Sequence, residues 1–330
     1  MAWYATQRVD DAIDLTRGLL EPFEAGTWLR LAVVMFFVGG GTGFSIPSFN
    51  TGEPPTDPNL SPDLTGTAIA IIVVLVVLAF LLAILLAILG GIMEYVFVET
   101  LRTGEISLRA YARRYLRAGL GLFAFRLAII LLGLVVFGGP VALVAGGSFL
   151  TESAALVGVG FLVLLLLSPL FVVLIIAFGL VQGFTTNFVV PVSIAEGVNV
   201  LDGWRRFWPT LTDQWKQYAV YVIVKFGLEL VVGVVALVVL LGIGIVLAIP
   251  FGIVGLPLVA VGLSAHGGTA AILLGIAVSL LVVYGLVMFV AGLLVQVPLR
   301  TVLRMYVLLV LGDTEERFDL VGDRRPALEN

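Results

Sequence analysis

Long apolar runs alternate with short polar connections along the chain, and the length of the runs sets the class of fold. No formally charged side chain occurs from Leu64 to Met93, from Ser153 to Ala195 or from Leu230 to Leu299. A helix needs roughly 20 apolar residues to cross a ~30 Å hydrocarbon core, and only a structure that satisfies its own backbone survives there. The pattern therefore predicts an all-α polytopic membrane protein with six spans, at about 28–46, 67–93, 121–146, 154–182, 218–248 and 269–295.

Between the runs the period changes to that of surface helices with one apolar and one polar side. Over 105–118, Arg109, Arg113, Arg114 and Arg117 fall in one sector, opposite Leu108, Tyr111, Ala112 and Tyr115. Over 200–208, Leu201, Trp204, Phe207 and Trp208 oppose Asp202, Arg205 and Arg206. Near the N-terminus, Val9, Ala12, Ile13, Leu20 and Phe23 oppose Asp10, Asp14, Arg17 and Glu21. Such helices lie in the membrane interface, with aromatic rings at headgroup depth and guanidinium groups toward phosphate or water.

These features recur. Arg30, Arg126 and Lys225 stand at near-equal intervals, each followed by a span, a connection and a returning span. The three returning segments end in apolar stretches that reach Gly104, Gly197 and Gly312, and glycine is a common helix stop. The chain thus divides into three hairpin repeats, 5–104, 105–197 and 198–312, with a polar tail over 313–330. The apolar extensions before the three glycines are expected to lie at, or tilt along, the cytoplasmic surface.

Charge orients the hairpins. All 18 basic residues fall in the N-terminal segment, the second and fourth connections, the C-terminal segment, or the ends of spans beside them. The first, third and fifth connections carry only Glu53, Asp57, Asp63, Glu152 and His266. An excess of arginine and lysine marks the cytoplasmic side, which puts both termini there and these three connections outside. The proline-rich connection over 47–66 reads as an irregular outer loop, and Asn59-Leu60-Ser61 within it matches a glycosylation acceptor.

Composition agrees with the class and narrows the setting. Hydrophobic residues make up 60% and charged residues 12% of the 330, with a mean hydropathy of +1.15. Cysteine is absent, Lys216 and Lys225 are the only lysines, and the net charge is -4. Low lysine with an acidic balance is a compositional pointer to a high-salt organism. The first thirty residues are acidic and amphipathic, unlike a cleavable signal peptide, so the first span is expected to remain.

The three hairpins, the stretch GWRRFWPTLTDQWKQY and the terminal RMYVLLVLGDTEERFDLVGDRRP resemble a family of uncharacterised haloarchaeal six-helix integral membrane proteins. More distantly, the chain is similar to the membrane domain fused to some glycerophosphodiester phosphodiesterases. That resemblance implies a fold and carries no catalytic residue, because the soluble barrel of the fused proteins has no counterpart here.

Candidate chemistry is sparse. A lone His266 beside glycines has few partners for a metal, and no phosphate-binding glycine loop, HExxH or GxSxG pattern occurs, so neither catalytic, metal nor cofactor residues are expected. The glycine clusters Gly39–Gly41, Gly90-Gly91, Gly138-Gly139 and Gly242-Ile243-Gly244 read as close helix contacts. Lys225 and Glu229 lie one turn apart, and Glu229 is the one carboxylate clearly inside a predicted span. Two readings stand for the pair: a buried ion pair, or a snorkelling lysine with its partner one turn deeper. The structural pairing is favoured because Arg30 and Arg126 hold equivalent positions without such a carboxylate. Gln182, Thr185, Thr186 and Asn187 form a polar patch in the fourth span, whose Ser168-Pro169 is expected to kink it. The stretch 248–268 is too apolar for a loop and too rich in glycine and proline for a full span, which leaves a re-entrant or surface-lying piece.

The arginines over 109–117 are spaced in fours on a segment with one wet face, unlike a voltage sensor, and neighbouring Glu94, Glu99 and Glu105 argue against nucleic acid. Anionic headgroups are the natural partners of Arg109, Arg113, Arg114, Arg117, Arg205 and Arg206. The leading functional reading is a non-enzymatic membrane protein acting through lipid, a protein partner or a second copy of itself. The alternative is a transporter or channel component with a polar path near Lys225, Glu229, Gln182, Asn187 and Arg126. A lipid-modifying enzyme lacks visible catalytic groups.

Overall fold

The computed structural model describes residues 8–43, 66–150 and 154–324, and every regular element among them is helical. Asn59, Glu53, Asp57, Asp63, Glu152 and Arg325 lie outside the described residues. In chain order the α-helices are α1 (Val9–Leu20), α2 (Ala25–Gly43), α3 (Gly66–Thr103), α4 (Leu108–Arg114), α5 (Leu116–Gly133), α6 (Gly139–Leu150), α7 (Ala154–Phe184), α8 (Val190–Glu196), α9 (Val200–Asp213), α10 (Trp215–Ser264) and α11 (Gly268–Thr314). Single π-helical turns, Leu134–Gly138 and Thr185–Val189, join α5 to α6 and α7 to α8 without ending the helix.

Among the described residues five stretches are long and apolar enough to cross a membrane: Ile69–Thr103, Leu116–Gly147, Gly158–Glu196, Trp215–Ser264 and Gly268–Thr314. The first of the six spans read from sequence falls on α2, whose apolar part, Ala25–Val38, is shorter than these. Apolar side chains on the long helices stand outward, as at Leu75, Leu82, Leu132, Leu166, Val238 and Leu286. Water does not tolerate so much continuous apolar surface, whereas lipid does, and this is a helical membrane protein.

The helices fall into two compact units, one of residues 1–36, 103–106 and 210–330, the other of residues 37–102 and 107–209. In the second, α3 and α5 meet at backbone distance. A Cβ added to Gly91 would sit 2.7 Å from the Gly119 carbonyl oxygen, and one added to Gly119 would sit 2.6 Å from Ile92 Cα. Small residues permit that approach where no hydrophobic effect drives helices together. Just beyond, Tyr95 stacks on Tyr115 at 5.5 Å, and Tyr95, Val96, Phe97, Val98 and Leu101 are buried. Of the other predicted glycine contacts, a Cβ added to Gly244 would lie 3.4 Å from Met288 Cε on the facing helix, while one added to Gly139 or Gly242 would meet nothing within 4 Å beyond its own helix.

In the first unit α10 and α11 form a long antiparallel hairpin, turned over at Ala265–Gly267, where Gly267 takes a φ of 65°. The amphipathic α1 packs on α11. Its buried residues are Ala12, Thr16 and Leu20, while Ile13 and Phe23 of the expected apolar face are exposed. Protein, rather than lipid alone, therefore covers part of that face. In α9 the buried face is Val200, Gly203, Phe207 and Thr210, rotated from the expected one, with Leu201 and Trp208 outward. Gly203 sets the rotation, since a Cβ there would lie 2.6 Å from Ser193 Oγ.

Three expectations change. The apolar extensions of the returning helices are the most buried stretches among the described residues: Tyr95–Val98, Phe188–Ser193 and Met305–Leu311 are almost fully covered. Composition alone cannot tell a lipid-facing stretch from a protein-buried one. Gly104 and Gly197 do stop helices in the left-handed region, at φ 77° and 66°, but Gly312 lies inside α11, which runs on to Thr314. Finally, 248–264 is not broken by its glycines and prolines: α10 continues through Pro250 and Pro257 to Ser264. Membrane helices tolerate proline when neighbours or hydroxyls satisfy the freed carbonyls, and Ser168 Oγ beside Pro169 makes such a bond to the Leu165 carbonyl at 2.7 Å.

Candidate functional site

The three cations that open the sequence repeats each have a different partner. Arg30 donates from Nη1 to the Ile106 carbonyl at 3.4 Å, on an exposed surface. Lys225 Nζ lies 2.9 Å from Glu229 Oε1, with the Glu229 side chain 50% exposed. A carboxylate this open stands on the helix surface, one turn along from its lysine. Arg126 donates from Nη2 to Thr186 Oγ1 at 2.8 Å and to Glu94 Oε1 at 3.5 Å, and the Glu94 side chain is 4% exposed. In sequence Arg126 has no carboxylate one turn away, and Glu94 reads as a surface charge beside the arginine-faced helix. Its partner comes from another helix, 32 positions away, where the one-turn rule does not look.

The π-helical turn Thr185–Val189 brings the polar patch to this arginine. An extra residue in one turn shifts the register, and such turns are frequent at functional sites. Thr185 is buried, donates to the Val181 carbonyl at 2.6 Å and accepts from Trp204 Nε1 at 3.0 Å. Thr186 meets Arg126, Asn187 is buried, and Gln182 is half-buried one turn earlier. Arg126, Gln182 and Asn187 thus belong to one compact unit, and Lys225 with Glu229 to the other.

A second buried carboxylate organises the arginine-faced segment. Glu99, with 2% of its side chain exposed, accepts from Arg102 Nη1 and Arg114 Nη1 at 3.4 Å each. The clamp ties the short α4 to the end of α3. Beside it, burial and then the Glu99 charge push the Tyr115 hydroxyl up to about 12, and the Arg114 guanidinium lies over that ring at 5.5 Å. Arg114 is therefore engaged by Glu99 and Tyr115, although most of its side chain stays exposed. Arg109, Arg113 and Arg117 are exposed and form no ion pair with the described residues.

On α9, Arg205 pairs with Asp202 at 3.1 Å and Arg206 with Glu196. The helix start is reciprocally capped: the Asp202 N–H donates to Asn199 Oδ1 at 2.9 Å, and Asn199 Nδ2 donates to Asp202 Oδ2 at 2.7 Å. In the first unit Arg8 donates from Nε to Asp313 at 2.7 Å and from Nη1 to Asp11 at 2.6 Å, with Asp313 5% exposed. The hydrogen bond to Asp313, then that to Asp11, raises the Arg8 pKa above its ordinary value. No feature of a single sequence links positions 305 apart.

An apolar groove of about 350 Å³ runs between α10 and α11 at Leu241, Gly244, Ala248 and Met288, and Tyr284 donates across it to the Gly244 carbonyl at 3.3 Å. Its lining offers contacts to a hydrocarbon chain, with the Tyr284 hydroxyl, committed to the Gly244 carbonyl, as its one polar side-chain group. Among the described residues no three of histidine, aspartate and glutamate converge as metal ligands, and His266 is exposed in the α10–α11 turn.

Residues 3–321 match a family of unknown function, DUF7544, and the chain belongs to that family. No curated protein matches it, and neither does any solved structure.

Proposed function

We propose that this member of a family of unknown function is a non-enzymatic membrane protein that organises the membrane or serves as an accessory subunit of a membrane assembly, through lipid and protein contacts. In this reading the chain crosses six times as three hairpins, α2 supplying the first crossing, with both termini and the arginine-bearing helices on the cytoplasmic side. The distribution of arginine and lysine supports that orientation. The low-lysine, acidic composition supports a high-salt setting.

The observation that carries the proposal is the outward presentation of Arg109 and Arg113 on α4, a helix clamped to α3 through Arg114 and buried Glu99, with Arg117 exposed in the first turn of α5. A cation near an anionic surface contributes about 1 kcal/mol, so three together contribute roughly 3 kcal/mol at low salt. The test is thermal unfolding in nanodiscs of phosphatidylcholine with and without phosphatidylglycerol. The anionic lipid should stabilise the natural protein, and replacing all three arginines by glutamine should abolish most of that gain. An unchanged gain in the triple variant defeats the assignment.

A second reading, a transport component, draws on the π-helical turn that joins Thr186 to Arg126 and buried Glu94. It predicts that Glu94→Gln or Glu229→Gln alters ion or solute flux in proteoliposomes. Fluxes indistinguishable from empty vesicles, in folded natural protein, eliminate it.

A further inference from the structure

The α10–α11 hairpin is too long for the membrane it crosses. From Leu230 to Ser264, charge-free throughout, α10 runs about 50 Å at 1.5 Å per residue, and α11 is charge-free for nearly as long from Gly268 to Leu299. A hydrocarbon core of ~30 Å takes up only the first ~20 of these α10 residues, which ends the crossing near Pro250. Tilt alone does not absorb the difference, since fitting 50 Å into 30 Å needs a tilt above 50°, beyond the usual range of ~0–40°. About 20 Å of paired helices, Pro250–Ser264 with the first turns of α11, is left over.

That distal arm has no wet face. Ile253, Leu256 and Leu263 are 70%, 72% and 74% exposed, and Ile272 and Leu281 across the turn are 65% and 68% exposed. Val254 and Val261 extend the exposed surface around about half of α10, while buried Gly262 closes the inner side, where an added Cβ would lie 3.0 Å from the Leu274 side chain. A docking face for one protein partner is a stripe backed by polar residues, whereas a helix apolar all round belongs in hydrocarbon. The arm is also continuous with the lipid-facing surface of the same helices, with no charged residue between them. Its polar groups Ser264, His266 and Thr269 gather at the turn, and the Ser279 hydroxyl is turned back onto its own helix, donating to the Gly275 carbonyl at 2.8 Å.

We infer that the distal half of this hairpin, from Pro250 through the turn to about Tyr284, is immersed in the lipid leaflet far from Lys225, with acyl or isoprenoid chains as its partners. Pro250 and Pro257, each lacking the N–H of a helical bond, stand where the excess begins. Immersed there, the arm adds the cross-section of two helices to one leaflet and nothing to the other, a concrete means of shaping a membrane. This inference rests on the reading that the hairpin crosses a bilayer.

The absence of cysteine makes the test direct. Nitroxide labels at Leu256→Cys and Leu281→Cys, with Leu237→Cys as the mid-span reference, are compared in liposomes by collision with oxygen and with a water-soluble nickel complex. The expected result is an oxygen-to-nickel ratio at 256 and 281 matching that at 237. High nickel collision at 256 and 281 with a lipid-like 237 overturns the inference and leaves the crossing intact. Low collision with both reagents at 256 and 281 also overturns it, in favour of cover by a second copy. Nickel access at 237 overturns the crossing itself.

Discussion

Substituting the two sides of the Glu99 clamp separately measures what holds the arginine-faced helix in place. Glu99 is 2% exposed, while Arg102 and Arg114 are 43% and 64% exposed. A hydrogen bond to a charged group contributes about 1.5–3 kcal/mol when buried, but 3.4 Å is long and both guanidinium groups are largely in solvent, so each is discounted to about 1 kcal/mol. Glu99→Gln keeps the shape and lets both arginines turn to water, costing at most about 2 kcal/mol, or roughly 30-fold in local opening at 1.4 kcal/mol per decade. Replacing Arg102 and Arg114 together by glutamine strips both cations from a buried carboxylate, which costs roughly 3–5 kcal/mol. The asymmetry is the prediction. Amide hydrogen exchange across 107–118, with thermal unfolding in nanodiscs, should rank the double arginine variant below Glu99→Gln. The reverse ranking, or exchange unchanged in both, would refute the clamp as the element that docks α4.

Three further outcomes follow from contacts elsewhere. Gly119→Ala forces a methyl onto the α3 backbone at Ile92 and should cost at least about 1–3 kcal/mol by thermal unfolding, while Gly121→Ala, with nothing within 4 Å, should be neutral or better. Arg8→Gln should loosen α1 from α11 by about 1–2 kcal/mol, read as faster proteolysis between α1 and α2, because it strips Asp313 of its closest cation. The Arg8 pKa is raised in the fold, so this contact is fully present below the ordinary guanidinium pKa and lost only above the raised one; Arg8→Lys should bring that loss down toward about pH 10. Thr186→Val should destabilise the α5–α7 contact by about 1 kcal/mol, with Thr185→Val freeing the Trp204 indole and shifting its fluorescence.

Much of the local structure was legible in the sequence, and the gaps have physical causes. The arginine face of α4 and the stops at Gly104 and Gly197 follow from periodicity and from the positive φ that glycine accepts. Pro250 and Pro257 misled because breaking a helix is a rule for water, where freed carbonyls have an alternative partner. Tyr306–Leu311 and Val282–Val287 are equally apolar, yet one stretch is buried and the other mostly exposed, since apolar composition does not distinguish protein from lipid as the covering medium. The candidate site suffered most. Gln182, Thr185, Thr186 and Asn187 stood out as polar residues in an apolar run, but Glu94–Arg126 and Arg8–Asp313 join distant segments that only tertiary packing brings together.

The threading of the chain is tested most directly by single cysteines introduced into this cysteine-free protein, one at Asn59→Cys and one at Ala110→Cys, probed with a membrane-impermeant thiol reagent. In intact cells Asn59→Cys should label and Ala110→Cys should label only after permeabilisation. Labelling of Ala110→Cys in intact cells, with Asn59→Cys protected, would contradict the account.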